Sequence, residues 1–226
     1  MIIVLACDTF STHNNGTTIS AQRLVAELRK KGHEVRVITT GEPGEGLYIC
    51  PHYQHGLVST LASWQGVNIG KAVDSVILEA LNGADVVHCY MPFVLSKRVV
   101  KLAKQCGVAC TAAFHCQPED ITYNLGMSSC GFMADFFYWA LREFFYKNVN
   151  YIHCPSQFIG DELEKHGYKG KRYVISNGIS EQFKQESIPK IPQLKGKFCI
   201  LMVGRLSKEK RQDVLIKACT LSRHAQ

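Results

Sequence analysis

Short apolar runs alternate with longer amphipathic stretches along most of this chain. The first run, MIIVLACD, leads through a polar turn into TISAQRLVAELRKKG, where apolar residues recur every three or four positions. A short apolar run bounded by turn residues is typical of a buried strand, whereas the three-to-four spacing is typical of a helix that packs on one face. Because this order repeats along the chain, the pattern predicts a βαβ succession.

The repeated order predicts an α/β fold with a doubly wound, parallel, Rossmann-like sheet, since strands joined through helices pair in parallel. Glycines that follow basic or polar last turns mark several helix ends, among them Gly32 and Gly107. The predicted elements are strand Met1–Asp8, helix Thr18–Lys31 with Thr17 as its N-cap, strand His33–Thr40, short strand Leu47–Cys50, helix Lys71–Asn82, strand Val86–Tyr90, helix Ser96–Cys106, strand Val108–His115, helix Phe132–Lys147, strand Tyr151–Cys154, helix Ser156–His166 and strand Tyr173–Ser176.

The strand–turn–helix plan starts a second time near the end of the chain. Residues 180–197 contain two prolines and several lysines and are typical of a linker, and FCILMVG then predicts a strand, followed by the helical pattern KRQDVLIKACTLS. We therefore predict a Rossmann-like domain at 1–179, a linker at 180–197 and the truncated start of a second Rossmann-like domain at 198–226. Two such domains would face each other across a cleft.

The charge balance favours anionic partners. The 226 residues carry 26 basic and 19 acidic side chains, a formal net charge of +7, which suits phosphorylated small molecules or an anionic membrane surface. The sequence predicts no transmembrane helix, and its first apolar run is too short for a signal peptide and meets Asp8 at once. We expect a cytoplasmic protein, with peripheral contact at the inner face of a membrane as an option.

The 10 cysteines lie mostly singly in apolar segments, without a CxxC pair, which indicates small buried hydrophobic residues in a reducing compartment. Three His-Cys dipeptides, at 88–89, 115–116 and 153–154, raise the question of zinc. Adjacent strand residues point to opposite faces, so one dipeptide does not easily supply two ligands to one ion. We therefore predict no metal site.

Three groups of residues follow predicted strands and are candidates for ligand binding. Gly16 opens a helix whose N-terminal N–H groups attract phosphate, although the turn lacks GxGxxG and so disfavours a nicotinamide-dependent oxidoreductase. Arg205 and Lys210 suit an anionic group such as a phosphate, and His115 suits a hydroxyl. The competing interpretations are a capped turn without a ligand for Gly16, solvated surface charge for Arg205 and Lys210, and a structural role for His115.

The ordered set of motifs resembles the retaining GT-B-fold glycosyltransferases of family four. The motifs that carry the resemblance are NNGTTISAQRLVAELRKKGHEVRVITT, ADVVHCYMPF, TAAFH, PSQFIGDELEKHGYKGKRYVISNGISEQF and ILMVGRLSKEKRQDVLIKA, which together span nearly the whole chain. Two positions depart from the family pattern. The glycine pair usual in the first loop is Asn15-Gly16, and the glycine that often follows the donor lysine is Arg211.

This resemblance implies transfer of a sugar, with retention, from a nucleotide-diphosphate sugar to a glycan or lipid acceptor, with no further cofactor. It implies that His115 lies beside the transferred sugar and that Gly16, Arg205 and Lys210 bind the donor diphosphate. Asp8 and His13 flank the loop that contacts the acceptor in relatives. Family members continue into a Glu-x7-Glu donor segment beyond the position of Gln226, so we expect the isolated chain to be inactive. A non-catalytic sugar-nucleotide or partner-binding domain is the alternative.

The helix Phe132–Lys147 allows two interpretations. Its aromatic residues fall in neighbouring rows, one through Phe136 and the next through Phe137, as in a core helix. The same apolar arc would suit an interfacial helix that brings the enzyme to a lipid acceptor, but its own basic face is sparse. We expect the Phe136 and Phe137 rows to be buried, with Trp139 near the surface.

Overall fold

A computed structural model describes residues 1–11, 15–54, 68–124, 126–127, 131–187, 189–204, 206 and 210–222. Its strands are β1 (Ile2–Thr9), β2 (Glu34–Thr40), β3 (Leu47–Ile49), β4 (Val86–Cys89), β5 (Ala109–Ala113), β6 (Tyr151–Cys154) and β7 (Lys171–Val174). Its helices are α1 (Gly16–Lys30), α2 (Asp74–Leu81), α3 (Val94–Gln105), α4 (Pro118–Asn124), α5 (Gly131–Phe144), α6 (Gln157–Lys165) and α7 (Gln212–Leu221). Single turns of 3-10 helix cover Tyr146–Asn148 and Pro192–Leu194.

The described strands form one seven-stranded sheet in the order β3-β2-β1-β4-β5-β6-β7, and each neighbouring pair is parallel. The strand order reverses direction at β1, which therefore lies at the topological switch point. Ligands of open α/β sheets bind at such a point, beyond the carboxyl ends of the strands. The predicted doubly wound parallel sheet is confirmed.

Two hydrophobic clusters cover the two faces of the sheet. Val4 and Ala6 of β1 pack with side chains of α2, α3 and α6 and with Tyr138 of α5, whereas Leu5 and Cys7 pack with α1. Successive side chains of a strand point to opposite faces, so α1 lies across the sheet from the other four helices. The helices after β1 and β4 thus flank the switch point from opposite sides.

Most predicted elements form, with ends that differ by a few residues. Helix α1 begins two residues earlier than predicted, because Asn15 and not Thr17 is its N-cap: the Asn15 Oδ1 accepts a hydrogen bond from the Thr18 N–H at 2.8 Å. Helix α4 was not predicted. It has only seven residues, too few to show a three-to-four apolar spacing.

The strand predicted near the start of the second domain does not form. Segment 198–204 is not a strand, and its large apolar side chains are exposed: Phe198 by 87%, Leu201 by 87% and Val203 by 84%. Helix α7 forms as predicted but has no buried residue. A strand gains its stability by pairing, and no described strand pairs with this segment. The proposed division into two domains and a linker stays a prediction.

Helix α5 turns a different side inward from the one we predicted. Phe136 is 50% exposed, Phe137 is half-buried, and Tyr138 is the fully buried residue of this helix. The Tyr138 ring stacks on His166 with centroids 3.8 Å apart, and its hydroxyl donates to Glu119 at 3.2 Å. Tyr138 is a polar aromatic residue, and the partners that it finds decide which side of α5 faces inward. The spacing of apolar residues alone does not reveal such partners.

Within the described parts of the chain, no helix combines the length and the apolar character that a membrane span requires.

Candidate functional site

A cavity of about 410 Å³ opens at the carboxyl edge of the sheet, beside the switch point. It lies between the N-terminus of α1, the ends of β1 and β4, and the loop that joins β5 to α4. The lining residues are Cys7, Thr9, Asn15, Gly16, Thr17, Thr18, Met91, Phe93, His115, Cys116, Gln117, Asp120 and Asn177. The cavity therefore joins two predicted site residues, Gly16 and His115, that are far apart in sequence.

Gly16 gives a ligand close access to the first turn of α1. A Cβ atom at this position would meet no heavy atom within 4 Å, so the backbone borders open space. The leading N–H groups of a helix have no partner within the helix and carry its positive dipole end. This end of α1 can therefore hold an anionic group such as a phosphate.

His115 is held neutral in the cavity wall. Burial, with a smaller effect from the nearby His153, lowers the pKa of His115 to about 4. Its ring stacks on Tyr90 with centroids 5.1 Å apart, and its buried Nε2 has no hydrogen-bond partner among the described residues. A neutral imidazole has one nitrogen that donates and one that accepts, so His115 can bind a hydroxyl without acting as a cationic acid.

Asn15, which also lines the cavity, contains a second buried nitrogen. Its Oδ1 is used by the helix cap, while its Nδ2 has no partner among the described residues. An amide nitrogen carries two N–H donors. Asn15 and His115 therefore each hold a buried nitrogen without a described partner in residues that line one cavity. From the sequence, Asn15 was noted only as a departure from a glycine pair and was given no role.

Two further histidines lie near His115, and from the sequence they were considered only as metal ligands. The ring of His153 lies edge-on to His115 at 5.8 Å, and that of His88 lies 6.2 Å from His153. The His153 Nε2 donates to the Ile175 carbonyl at 2.6 Å, and burial lowers the pKa of His88 to about 3. No group of metal-ligating side chains occurs among the described residues. His153 instead packs against the His115 ring, and His88 packs against His153.

Asp8 does not reach the cavity. Its side chain is fully buried, and its Oδ1 accepts a hydrogen bond from the Gly70 N–H at 2.8 Å. Burial raises the pKa of Asp8 to about 7. In this geometry Asp8 ties the end of β1 to the loop before α2. Contact with an acceptor stays a prediction for Asp8, and His13 lies outside the described residues.

Lys210, which was predicted to bind the diphosphate from the far segment, is not among the residues that line the cavity. Lys210 is exposed beside Gly204, and Arg205 lies outside the described residues. Arg211, where relatives often have glycine, adopts a left-handed backbone with φ of 53°. Such a conformation favours glycine, which accounts for the family's preference at this position.

Gln117, Asp120 and Asn177 line the cavity but were missed by the sequence analysis. Each follows a strand of the sheet in a polar stretch, Gln117 and Asp120 after β5 and Asn177 after β7. Their position beyond the end of a strand is the sequence signal that could have identified them. The order of the strands, which brings these particular ends together, was not readable from the sequence.

The sequence model described as Glycosyltransferase Family 4 matches residues 14–183. Alpha-monoglucosyldiacylglycerol synthase of Streptococcus pneumoniae (strain ATCC BAA-255 / R6) is 25% identical over 247 residues, which cover 96% of this chain and 52% of that protein. GDP-mannose-dependent alpha-mannosyltransferase of Mycolicibacterium smegmatis is 24% identical over 230 residues, 95% of this chain and 59% of that protein. The chain thus spans about half the length of these relatives.

Among solved structures, the chain aligns with one titled S. aureus MnaA-UDP co-structure at 14% identity and a TM-score of 0.43, covering 81% of this chain and 48% of the other. That likeness carries no conclusion about the ligand. The family match extends over well more than half of the chain and includes every residue of the cavity lining except Cys7 and Thr9. The chain belongs to glycosyltransferase family 4.

Proposed function

We propose that the protein transfers a hexose from a nucleotide-diphosphate sugar to a glycan or lipid acceptor, with retention of configuration. The observation that carries the proposal is a pair of buried nitrogens, Asn15 Nδ2 and His115 Nε2, in residues that line one cavity beside the open N-terminus of α1. Neither nitrogen has a hydrogen-bond partner among the described residues. The helix end suits the anionic diphosphate, and the two nitrogens suit polar groups of the donor. One cavity thereby offers complementary groups to both parts of a sugar diphosphate.

The reaction proceeds by attack from the face that the leaving group occupies. The bond from the anomeric carbon to the diphosphate oxygen breaks, the acceptor oxygen bonds to that carbon, and the acceptor proton passes to the departing diphosphate. Neutral His115 binds the sugar and does not need to ionise. Arg205 and Lys210 add positive charge where the diphosphate develops its negative charge, so the proposal includes no metal.

The names of the two relatives support the classes of substrate. One is named for a glucosyldiacylglycerol product and the other for dependence on GDP-mannose. A hexose donor and a lipid or glycan acceptor therefore suit this chain as well. We place the reaction in the cytoplasm, with peripheral contact at the inner face of a membrane when the acceptor is a lipid.

The 226-residue chain alone is expected not to transfer sugar. Lys210 lies outside the cavity, and segment 198–204 is exposed, so Lys210 is not positioned beside Gly16 and His115. Loss of orientation between reacting groups costs many orders of magnitude in rate. The same observation favours the second candidate function, a non-catalytic domain that binds a sugar nucleotide or a partner.

A transfer assay on the complete gene product tests the proposal. The protein is incubated with a panel of nucleotide-diphosphate sugars and with diacylglycerol or oligosaccharide acceptors, and the anomeric configuration of the product is read by NMR. We expect transfer with retention, and a loss of roughly a hundredfold in His115→Ala, Arg205→Ala or Lys210→Ala. Lys195→Ala, at an exposed position before the second segment, serves as the control. Absence of transfer with every donor would leave only the binding function.

A further inference from the structure

Helix α5 carries an aromatic surface that the rest of the described chain does not cover. Phe132 is 70% exposed, Phe136 50% and Trp139 51%, and these three side chains lie on one side of the helix. The Phe136 and Trp139 rings are neighbours, with centroids 5.8 Å apart. Large aromatic groups clustered on a surface mark a contact site, whereas single exposed apolar residues do not.

Helix α3 borders this aromatic surface with lysines. Lys97, Lys101 and Lys104 recur at helical spacing and are all exposed. The Lys97 Nζ lies 4.0 Å from the centroid of the Phe144 ring at the end of α5, so the basic row and the aromatic helix meet. None of the three lysines forms an ion pair with any described residue. Asp74 is an acidic neighbour of the row, since Lys101 helps to lower the pKa of that carboxyl, but its closest partner is Arg98.

The acidic side chains of α5 are already partnered. Glu143 pairs with Lys147 at 3.1 Å and with Arg142 at 3.2 Å, and Asp135 binds the His166 ring at 2.9 Å. The positive charge that borders the aromatic face thus comes from the neighbouring helix α3. This contribution is invisible in the sequence of α5, whose own basic residues are few.

The surface formed by α3 and α5, which we call the α3/α5 face, lies close to the candidate site. Both helices pack on the sheet face opposite α1, and α5 packs against α4. Helix α4 begins directly after the cavity residues His115, Cys116 and Gln117. A planar partner seated on this face would therefore lie beside the cavity and would leave α1 on the far side.

We propose that the α3/α5 face docks on a bilayer rich in anionic lipid. Aromatic side chains partition to the boundary between headgroups and acyl chains, and lysines at the rim bind anionic headgroups. This inference deepens the proposed function by assigning the surface that would bring a lipid acceptor to the cavity. Vesicle binding is measured without donor or acceptor turnover, so it can fail or succeed independently of the transfer assay.

The test measures binding of the 226-residue chain to vesicles by flotation. One set contains phosphatidylcholine alone, and the other contains phosphatidylcholine with phosphatidylglycerol, each at low and high salt. We expect binding to the anionic vesicles only, weakened by salt because screening shortens the range of the lysine charges. Equal binding to both sets, or no binding to either, would overturn the proposal.

Matched variants locate the surface. Lys97→Gln with Lys101→Gln should weaken binding about tenfold or more, since each surface lysine contributes to anionic-lipid affinity. The control, Lys30→Gln with Lys31→Gln, removes the same charge at the exposed end of α1 across the sheet and should bind nearly as the parent does. If both pairs lose affinity equally, net charge and not the α3/α5 face is responsible, and the proposal is wrong.

The aromatic part is tested with Trp139→Ser against Phe158→Ser, a change at an exposed aromatic residue of α6. We expect the first to lose vesicle binding and the second to retain it, with both melting as the parent does. Light scattering after size exclusion checks the rival occupant, a second copy of the chain. A dimer that Trp139→Ser dissociates, together with absent vesicle binding, would overturn the membrane assignment.

Discussion

Asn15 and His115 each keep a buried nitrogen without a partner among the described residues, and both border one cavity. A buried polar group without a hydrogen bond costs about 1–3 kcal/mol, so two in one place call for an explanation. A ligand that accepts a hydrogen bond from the Asn15 Nδ2 and forms a hydrogen bond with the His115 Nε2 would remove this cost. At the residue scale, the site is therefore built for a polar partner.

Buried histidines give the protein a stability that depends on pH. The folded-state pKa of His88 is lowered to about 3, so below its ordinary value near 6.5 the unfolded chain binds a proton that the folded chain does not. Stability from His88 is thus lost as the pH falls from neutral toward 4. We expect His88→Gln to gain melting temperature relative to the parent as the pH falls from 7 to 5.

Asp8 makes the stability of the protein depend on pH in the opposite direction. Its folded-state pKa is raised to about 7, so between its ordinary value and 7 the folded chain binds the extra proton, and stability is lost as the pH rises. Asp8→Asn should therefore gain melting temperature relative to the parent as the pH rises from 5 to 8. Parallel curves for parent, Asp8→Asn and His88→Gln would contradict both assignments.

At the scale of elements, helix α1 combines a structural cap with a binding surface. Asn15→Ala should cost about 1 kcal/mol of stability, because the cap bond to the Thr18 N–H is lost. Asn15→Asp keeps an oxygen for the cap but replaces the two Nδ2 donors with negative charge. We expect Asn15→Asp to unfold in urea nearly as the parent does while losing affinity for sugar nucleotides. Unchanged affinity would show that Asn15 acts only as a cap.

Helix α5 allows burial to be separated from exposure at neighbouring residues. Tyr138→Ala should cost about 3–5 kcal/mol, as for other large core residues, because Tyr138 is fully buried and stacked on His166. Trp139→Ala should change stability by less than about 1 kcal/mol, since half of its surface is exposed. Urea unfolding of the two variants measures both values. Equal losses would mean that α5 packs differently.

Helices and strands were predicted well wherever one apolar stripe faced one core. Helix α1, whose apolar residues recur every three or four positions, is such a case, and its Ala21 and Val25 are buried. Prediction failed where apolar residues surround a helix, as in α5, because spacing does not identify which side finds polar partners such as Glu119 and His166. It also failed at 198–204, where an apolar run has the composition of a strand but no described neighbour to pair with.

For the whole molecule, the sequence supported a parallel sheet but not its strand order. Gly16 and His115 were each predicted from their positions at element ends, yet their meeting depends on β1 lying next to β4 and β4 next to β5. Asn177 joins them through β7, three strands further along the sheet from β4. Such long-range neighbours depend on topology, which the local pattern does not encode.

The central claim is that the cavity between α1 and the β5–α4 loop receives a nucleotide-diphosphate sugar. The most direct test is NMR of the 226-residue chain, labelled with nitrogen-15, during titration with millimolar UDP-glucose and GDP-mannose. We predict shifts of the Gly16 and Thr17 amides and of the His115 ring with at least one donor, and none at Gly32 or Gly107. Shifts confined to those remote glycines, or no shifts with either donor, would contradict the account.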